Sequence, residues 1–320
     1  MPRRGKGLSP TRRLQAVRDK GGKERLSDVQ SRRPSARFKL TRVGVTGVKK
    51  PISIERPGKT VMLTATIDMY VDLPATQKGS HMSRNVEVLD EAVDRTFSKP
   101  GKSLEDLAKG LAAELLRRHD YASSAEVQVA ADYFLDKKAP SGRKTTEVYR
   151  LTASAKGTRD GRSAKVKKSI GVEVVGMTAC PCAMEGVREH MRGKHPEHSR
   201  ALSKLPAITH NQRNVAMLRL DVPDGHDIEA DTLIEIVEGA LSTPTREILK
   251  RKDEAALVYA AHANPKFVED VVRDILGHVL ARYPRLPDDV GISVRSESEE
   301  SIHKHSAFAE RVTTIGELRA

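Results

Sequence analysis

The sequence predicts an α+β protein in which antiparallel strands carry paired helices on one face. Residues 60–73 alternate apolar and polar side chains with a period of two, which is typical of a half-buried strand. Two stretches of helical periodicity and two further strand-like stretches follow along the chain. Because the same order of elements returns in the second half, we expect one strand–strand–helix–helix–strand–strand unit to be used twice.

The first unit begins near residue 37, and its first strand has an irregularity at a glycine. Two helices are expected in this unit, because Pro100-Gly101 would end one and Ser103 with Asp106 makes a capping box for the other. The apolar residues at helical spacing are Val86, Leu89, Val93 and Phe97, then Leu104, Leu107, Leu111 and Leu115. The strands of the unit are expected at 37–55, 60–73, 125–135 and 144–155.

The second unit is less regular. Its strands are expected at 164–178, 214–222, 289–297 and 305–314. Its helices are expected at 228–241 and 266–282, and further helices at 184–193 and 245–251 break the symmetry between the halves. The patterns divide the chain into a basic, mostly disordered tail at 1–36, a first domain at 37–160 and a second domain at 161–320.

Composition excludes several classes of protein. No apolar run approaches the roughly 20 residues that a membrane span needs. The two cysteines, Cys180 and Cys182, are too close in sequence for a disulfide bond between them to link distant parts of the fold. A reducing cytoplasm is therefore the expected compartment. Of the net charge of +13, a net of +8 lies in residues 1–33, so the rest of the chain has the modest charge of an ordinary globular protein.

The basic tail leaves open one alternative of another class. An Arg-rich segment attracts RNA through counterion release, which would make the chain an RNA-associated binding protein. Aromatic residues make up only 3% of the chain and Trp is absent, so platforms for stacking bases are scarce. The expected role of the tail is a solubilising extension with no more than weak nucleic-acid contact.

Three polar clusters stand at the ends of predicted elements. Cys180-Pro181-Cys182 follows a strand, where a thiolate is a good ligand for zinc or ferrous iron, although a small buried hydrophobe is the alternative fate of either cysteine. Residues 209–213 precede a strand and form either a polar site or a solvated turn. Residues 301–306 contain His303 and His305, whose rings would point to one side of an extended segment. One cysteine and two or three histidines from separate loops would make a catalytic metal site with an open position.

The other histidines and the cations have weaker contexts. Seven lone histidines are expected at the surface: His119, His190, His195, His198, His226, His262 and His278. Neither common glycine-rich phosphate-binding loop occurs in the sequence. Any phosphate must therefore be met by side chains such as Lys78, Arg84, Arg213, Lys250 or Arg251.

Seven short motifs occur in order over residues 27–312, and as a set they resemble the type IB GTP cyclohydrolase family. They are Val45-Thr46-Gly47-Val48, Gly79-Ser80-His81-Met82-Ser83-Arg84, Cys180-Pro181-Cys182, His210-Asn211-Gln212-Arg213, Leu249-Lys250-Arg251-Lys252-Asp253-Glu254, Asn264-Pro265-Lys266-Phe267-Val268-Glu269-Asp270 and Ser301-Ile302-His303-Lys304-His305. The resemblance implies a tandem tunnelling fold (T-fold). It also implies a homodimer or homotetramer with active sites at subunit interfaces.

Members of this family open the purine ring of GTP and release formate. The resemblance implies that Cys180, His210 and His303 hold the metal ion, with Fe(II) expected and Zn(II) or Mn(II) as alternatives. The catalytic residues it implies are Cys180, His305 and Asp253, the last two for proton transfer or for support of the site. The substrate-binding residues it implies are His81, Ser83, Arg84, Gln212, Arg213, Lys250 and Arg251.

Two departures from bacterial members bear on the chemistry. The long insert at 183–209 resembles the archaeal, methanopterin-pathway branch, which yields 7,8-dihydroneopterin 2′,3′-cyclic phosphate and diphosphate. The alternative product is the 7,8-dihydroneopterin triphosphate of the bacterial members. Thr243-Pro244 stands where bacterial members have a Cys-Glu pair, so the fourth metal position is left to water, Glu238 or Glu247.

Overall fold

The computed structural model describes residues 28–56, 59–161 and 163–320, together with the paired two-residue strands Val17–Arg18 and Glu24–Arg25. Most of the predicted tail at 1–36 therefore lies outside the described residues. Within the described part of the chain, no helix combines the length and the apolar character needed to cross a membrane.

The first half of the chain folds in the predicted order. Its elements are β1 (Leu40–Arg56), β2 (Lys59–Leu73), α1 (Met82–Ser98), α2 (Leu104–Arg118), β3 (Ser124–Lys138) and β4 (Lys144–Asp160). The cap of α2 is confirmed, since Ser103 Oγ accepts a hydrogen bond from the N–H of Asp106 at 3.2 Å. The irregularity is confirmed too, because the β1–β2 register shifts between Val45 and Val48 and Gly47 has a φ of 69° that favours glycine.

The second half adds helices to the same order of strands. Its elements are β5 (Ser163–Ala179), α3 (Pro181–Lys194), β6 (Asn211–Asp221), α4 (Ala230–Ala240), α5 (Arg251–Ala263), α6 (Val268–Arg282), β7 (Gly291–Ser298), β8 (Ala307–Thr314) and α7 (Ile315–Arg319). A 3₁₀ turn at Pro196–His198 and a short helix at Ser199–Leu202 connect α3 to β6. The insert at 183–209 is therefore mostly helical.

The long strands form one antiparallel sheet. Among the described residues their order is β8-β7-β6-β5-β4-β3-β2-β1, and the two-residue strand Thr243–Pro244 pairs with the end of β5. Helix α2 packs on β3, β4 and β5, whereas α4 packs on β5 and α6 packs on β7 and β8. The predicted class, an antiparallel sheet with helices packed against it, is confirmed.

The two halves share one apolar core. Buried residues of both helix pairs and of the strands from β1 to β7 belong to the same contiguous cluster. The predicted domain boundary, between residues 160 and 161, falls in the short connection between β4 and β5. These two strands are paired in register, from Arg150 opposite Glu173 to Asp160 opposite Ser163. The sheet thus continues without a linker from one half into the other.

The helix predicted at 245–251 is wrong. Residues 245–250 are not helical, and α5 begins where that helix was expected to end. Pairing of Thr243–Pro244 with β5 keeps this part of the chain extended. The carboxylate of Asp253 then accepts the N–H of Lys250 at 3.1 Å, so the helix starts after Lys250.

The surface position predicted for His119 is also wrong, and two of the four apolar residues at helical spacing in α1 are exposed. Val86 is 37% exposed and Phe97 is 50% exposed, because the buried stripe of α1 includes the polar residues Asn85 and Thr96. Thr96 Oγ1 donates to the carbonyl of Val93 at 2.8 Å, which satisfies it inside the core. His119 is fully buried, with Asn85 as one of its partners.

Asp72 ties the end of β2 to the start of β3. Its carboxylate accepts the backbone N–H groups of Ser123 at 2.7 Å and Ser124 at 2.8 Å, and it pairs with Lys39 at 2.9 Å. Burial by itself raises the pKa of Asp72, but the hydrogen bonds from Ser123, Ser124 and Lys39 outweigh burial and lower the pKa to about 2. The ionised carboxylate therefore stabilises the fold.

We expect Asp72→Asn to lower the free energy of unfolding by about 2 kcal/mol at pH 7. The folded-state pKa is depressed, so this stabilisation is present above the unfolded pKa of about 4 and is lost as the pH falls toward 2. Urea unfolding at pH 7 and pH 3 measures the change. The exposed Asp132→Asn is the matched control, and a difference between wild type and Asp72→Asn that stays constant with pH would contradict the assignment.

Candidate active site

Two of the three polar clusters meet because β5 and β6 are antiparallel neighbours. Ala179, at the end of β5, pairs with Asn211, at the start of β6. The next residues outward, Cys180 and His210, are joined by a hydrogen bond from the N–H of Cys180 to the carbonyl of His210 at 3.1 Å. A thiol and an imidazole that are 30 positions apart in sequence thus stand side by side at one end of the sheet.

Cys180 is the N-cap residue of α3. Pro181 occupies the first turn of that helix, and Cys180 Sγ accepts the N–H of Ala183 at 3.5 Å. The positive end of the helix dipole favours negative charge at this sulfur. The side chain of Cys180 is half-buried whereas Cys182 is exposed, so the two thiols have different environments. Cys180 is the sulfur suited to ligation.

A directional chain of hydrogen bonds orients His210. Its Nδ1 lies 3.0 Å from Gln212 Oε1, and Gln212 Nε2 donates to Glu300 Oε1 at 3.1 Å. Since the amide oxygen can only accept, His210 carries its proton on Nδ1 and leaves the lone pair of Nε2 free for a ligand bond. The second oxygen of Glu300 lies 3.6 Å from His210 Nδ1 and supports the same tautomer.

Glu300 is a neighbour of His210 that the sequence interpretation missed. The side chains of His210 and Glu300 are each only 11% exposed, and Gln212 is buried between them. Gln212 therefore connects Glu300 to His210. The sequence signal for Glu300 was its position directly before the segment 301–305.

The two histidines of the third cluster lie on a bend and not on the extended segment that was predicted. Residues 301–305 are bent and exposed, yet the rings of His303 and His305 stack with centres 5.2 Å apart. The ring of His303 also meets that of His210 edge-on, with centres 6.4 Å apart. Cys180, His210 and His303 thus come from three separate segments to one end of the sheet.

The donor set fits a soft divalent ion in type. An imidazole nitrogen binds zinc at about 2.0–2.1 Å, so the centres of two rings on one tetrahedral ion lie roughly 5 Å apart. The ring centres of His210 and His303 lie 6.4 Å apart, so the two rings must approach each other before they can share such an ion. No group of three His, Cys, Asp or Glu side chains among the described residues stands ready at metal-binding distances, so ligation by all three residues requires side-chain rotation.

Of the two carboxylates that were considered for the fourth metal position, Glu238 has other partners. Glu238 accepts hydrogen bonds from Tyr149 at 2.8 Å and Arg246 at 2.8 Å, and it pairs with Lys137 at 2.9 Å. The N–H of Glu247 contacts the carboxylate of Glu147. Glu300 is instead the carboxylate that stands beside His210.

Asp253 is held by backbone N–H groups near the start of α5. It is 1% exposed, and its two oxygens accept the N–H groups of Ser141 at 2.6 Å and Lys250 at 3.1 Å. The hydrogen bond from Ser141 is the main cause that holds the pKa of Asp253 below its usual value. Asp253 therefore caps α5 and fixes the β3–β4 turn, which supports the position of Lys250 and Arg251 at the start of that helix.

The predicted residues of the first half lie at the other end of the sheet. His81 is the N-cap residue of α1, and Ser83 and Arg84 lie in the first turn of that helix, which follows β2. The register from β2 to β5 places the end of β2 level with the start of β5. Cys180 follows the end of β5, and a 17-residue strand spans roughly 55 Å. These three residues therefore do not join the Cys180 cluster of their own chain.

The sequence was compared with known proteins. Residues 26–309 match the family model described as type I GTP cyclohydrolase folE2. The chain is 45% identical over 300 residues to the GTP cyclohydrolase MptA of Methanothermobacter thermautotrophicus, covering 91% of this chain and 94% of the relative. It is 42% identical over 302 residues to the GTP cyclohydrolase MptA of Methanobrevibacter smithii, covering 92% and 97%.

Solved structures of low identity also align with the chain. A urate oxidase from Bacillus sp. TB-90 aligns with a TM-score of 0.46 and 10% identity, over 86% of this chain and 99% of the other. A uricase from Bacillus fastidious aligns with a TM-score of 0.43 and 12% identity, over 88% and 95%.

Proposed function

The chain belongs to the type I GTP cyclohydrolase family, and from this membership we propose that it converts GTP to 7,8-dihydroneopterin 2′,3′-cyclic phosphate, formate and diphosphate. It is an enzyme that acts on GTP. The cyclic phosphate is the product of the archaeal branch that the insert at 183–209 resembles, and the high identity to proteins of methanogens supports that branch.

Two contacts support the proposal: the backbone hydrogen bond that places Cys180 beside His210, and the edge-on contact between the rings of His210 and His303. A thiol sulfur and two imidazoles favour a soft or borderline divalent ion. We propose Fe(II) as this ion, with Zn(II) and Mn(II) as alternatives. When bound, such an ion supplies an activated water for hydrolysis near neutral pH. Glu300 lies on the Nδ1 side of His210 and supports that ring, so the fourth position is left to water.

The remaining residues of this end of the sheet have roles that follow from their chemistry. The chain from Glu300 through Gln212 fixes the His210 tautomer, so that Nε2 faces the site. His305 is exposed and stacked on His303, and its imidazole transfers protons between solvent and the opening purine ring. Arg213, Lys250 and Arg251 are the cations at this end of the sheet that bind phosphate oxygens.

We further propose that each active site is shared between subunits of a cytoplasmic homodimer or homotetramer. His81, Ser83 and Arg84 stand at the end of the sheet remote from Cys180, so a neighbouring subunit has to bring them to the substrate. The repeated order of strands and paired helices supports two tunnelling-fold domains within each chain.

Anaerobic purification, metal analysis and a formate-release assay with GTP test the proposal. Removal of metal with a chelator is expected to abolish formate release, and Fe(II) is expected to restore more activity than Zn(II) or Mn(II). Chromatography of the product is expected to give the cyclic phosphate with one diphosphate per formate. Formation of the triphosphate would assign the alternative product, and absence of formate with every metal would contradict the function.

A further inference from the structure

A buried chain of hydrogen bonds lies beneath the segment His81–Arg84 in the first half. His119, which follows α2, is fully buried. Its Nδ1 lies 2.8 Å from the hydroxyl of Tyr121, and its Nε2 lies 2.8 Å from Asn85 Oδ1. The Tyr121 hydroxyl lies 2.8 Å from Ser80 Oγ. The chain therefore ends on Ser80 and Asn85, the two residues that flank the segment.

The direction of each hydrogen bond in this chain follows from the charge of His119. Burial is the main cause that lowers the pKa of His119 to about 4, and the nearby Arg84 and His81 add to it. The ring is therefore neutral at physiological pH. With the Asn85 oxygen toward the ring, His119 donates from Nε2 and accepts the Tyr121 O–H at Nδ1, whereas Asn85 Nδ2 has no hydrogen-bond partner among the described residues. The oxygen of Tyr121 then accepts the O–H of Ser80.

Other contacts fix the same segment from the end of α2. Arg84 donates to the carbonyl of Arg118 at 3.0 Å, which places its guanidinium beside the residue that precedes His119. On the other side, His81 Nδ1 is buried and has no hydrogen-bond partner among the described residues. A buried polar atom without a partner is uncommon in a folded protein and marks a place that a ligand or water satisfies.

We propose that His119 is a positioning residue, which acts through Tyr121 and Asn85 to hold His81, Ser83 and Arg84 ready for GTP in the active site of the neighbouring subunit. The inference rests on the proposed function, in which these three residues contact the substrate. It assigns a role to a residue whose only sequence signal was a lone histidine. A purely structural role would stabilise the fold without changing how GTP binds.

Tyr121→Phe tests the proposal because it removes one hydroxyl and keeps the ring. We expect the KM for GTP to rise about five- to tenfold, the scale of one net hydrogen bond, while kcat for formate release changes less than about twofold. Ser80→Ala breaks the same hydrogen bond, so the double variant is expected to raise KM no further than the larger single effect. Tyr70→Phe is the matched control, since that hydroxyl lies 3.4 Å from Asp68 and has no link to the segment.

The outcomes separate this proposal from the proposed function. An unchanged KM in Tyr121→Phe overturns the positioning role, whether or not the midpoint of thermal unfolding falls, provided that the wild type releases formate. Additive KM effects of Ser80→Ala and Tyr121→Phe also overturn it. A wild type that releases no formate from GTP with any of the three metals instead contradicts the proposed function itself.

Discussion

Replacing Cys180 by serine is expected to lower formate release from GTP by about three orders of magnitude, because several kcal/mol of the barrier depend on the ion that this sulfur would hold. Serine keeps an oxygen at the N-cap of α3, where Cys180 Sγ now accepts the N–H of Ala183. The helix therefore keeps its cap while the soft ligand is lost. Steady-state formate release, metal content and thermal unfolding measure the three consequences separately.

Cys182→Ser is the matched control for this experiment. Cys182 is the other thiol of the same motif, and it is exposed on the first turn of α3. We expect this variant to keep its metal and its activity within about twofold of the wild type, as for a surface substitution. Equal losses in the two variants, or a Cys180→Ser protein that retains full activity and metal, would refute the assignment of Cys180.

The strands could be predicted because alternating burial of their side chains appears in the sequence as an alternation of apolar and polar residues. In β2 the residues Leu63, Ala65, Ile67, Met69 and Val71 are buried, as the alternation of 60–73 predicts. Helix α5 could not be predicted in the same way, because its buried residues are Asp253, Leu257 and Ala261, a single narrow stripe that begins with a charge. A helix that buries so little carries a weak periodic signal.

Part of the candidate site follows from local sequence and part from tertiary contacts. Two antiparallel strands that run 163–179 and 211–221 necessarily bring Cys180 close to His210, so this pair was within reach of sequence reasoning. The burial of His119 could not be predicted from the sequence, because it depends on Asn85 and Tyr121 and not on its charged neighbours in sequence. Glu300 was likewise hidden, since Glu299-Glu300-Ser301 has the composition of a solvated turn.

Glu300→Gln is expected to lower metal affinity by about 10- to 100-fold, the usual effect of losing a partner that orients a ligating histidine. The carboxylate of Glu300 now accepts from Gln212 Nε2, which turns Gln212 Oε1 toward His210 Nδ1. An amide at position 300 removes the negative charge beside His210 and can present a donor there. The tautomer with its proton on Nδ1 and with Nε2 free then loses the contacts that select it.

Competition with a chelator measures the metal dissociation constant, and formate release at saturating metal measures the remaining activity. Glu299→Gln is the matched control, because Glu299 is the adjacent carboxylate and is exposed. We expect Glu299→Gln to leave metal affinity unchanged and Glu300→Gln to regain most of its activity when the metal concentration is raised. If the two variants bind metal equally well, the hydrogen-bonded chain through Gln212 does not control His210, and the metal site must depend on other groups.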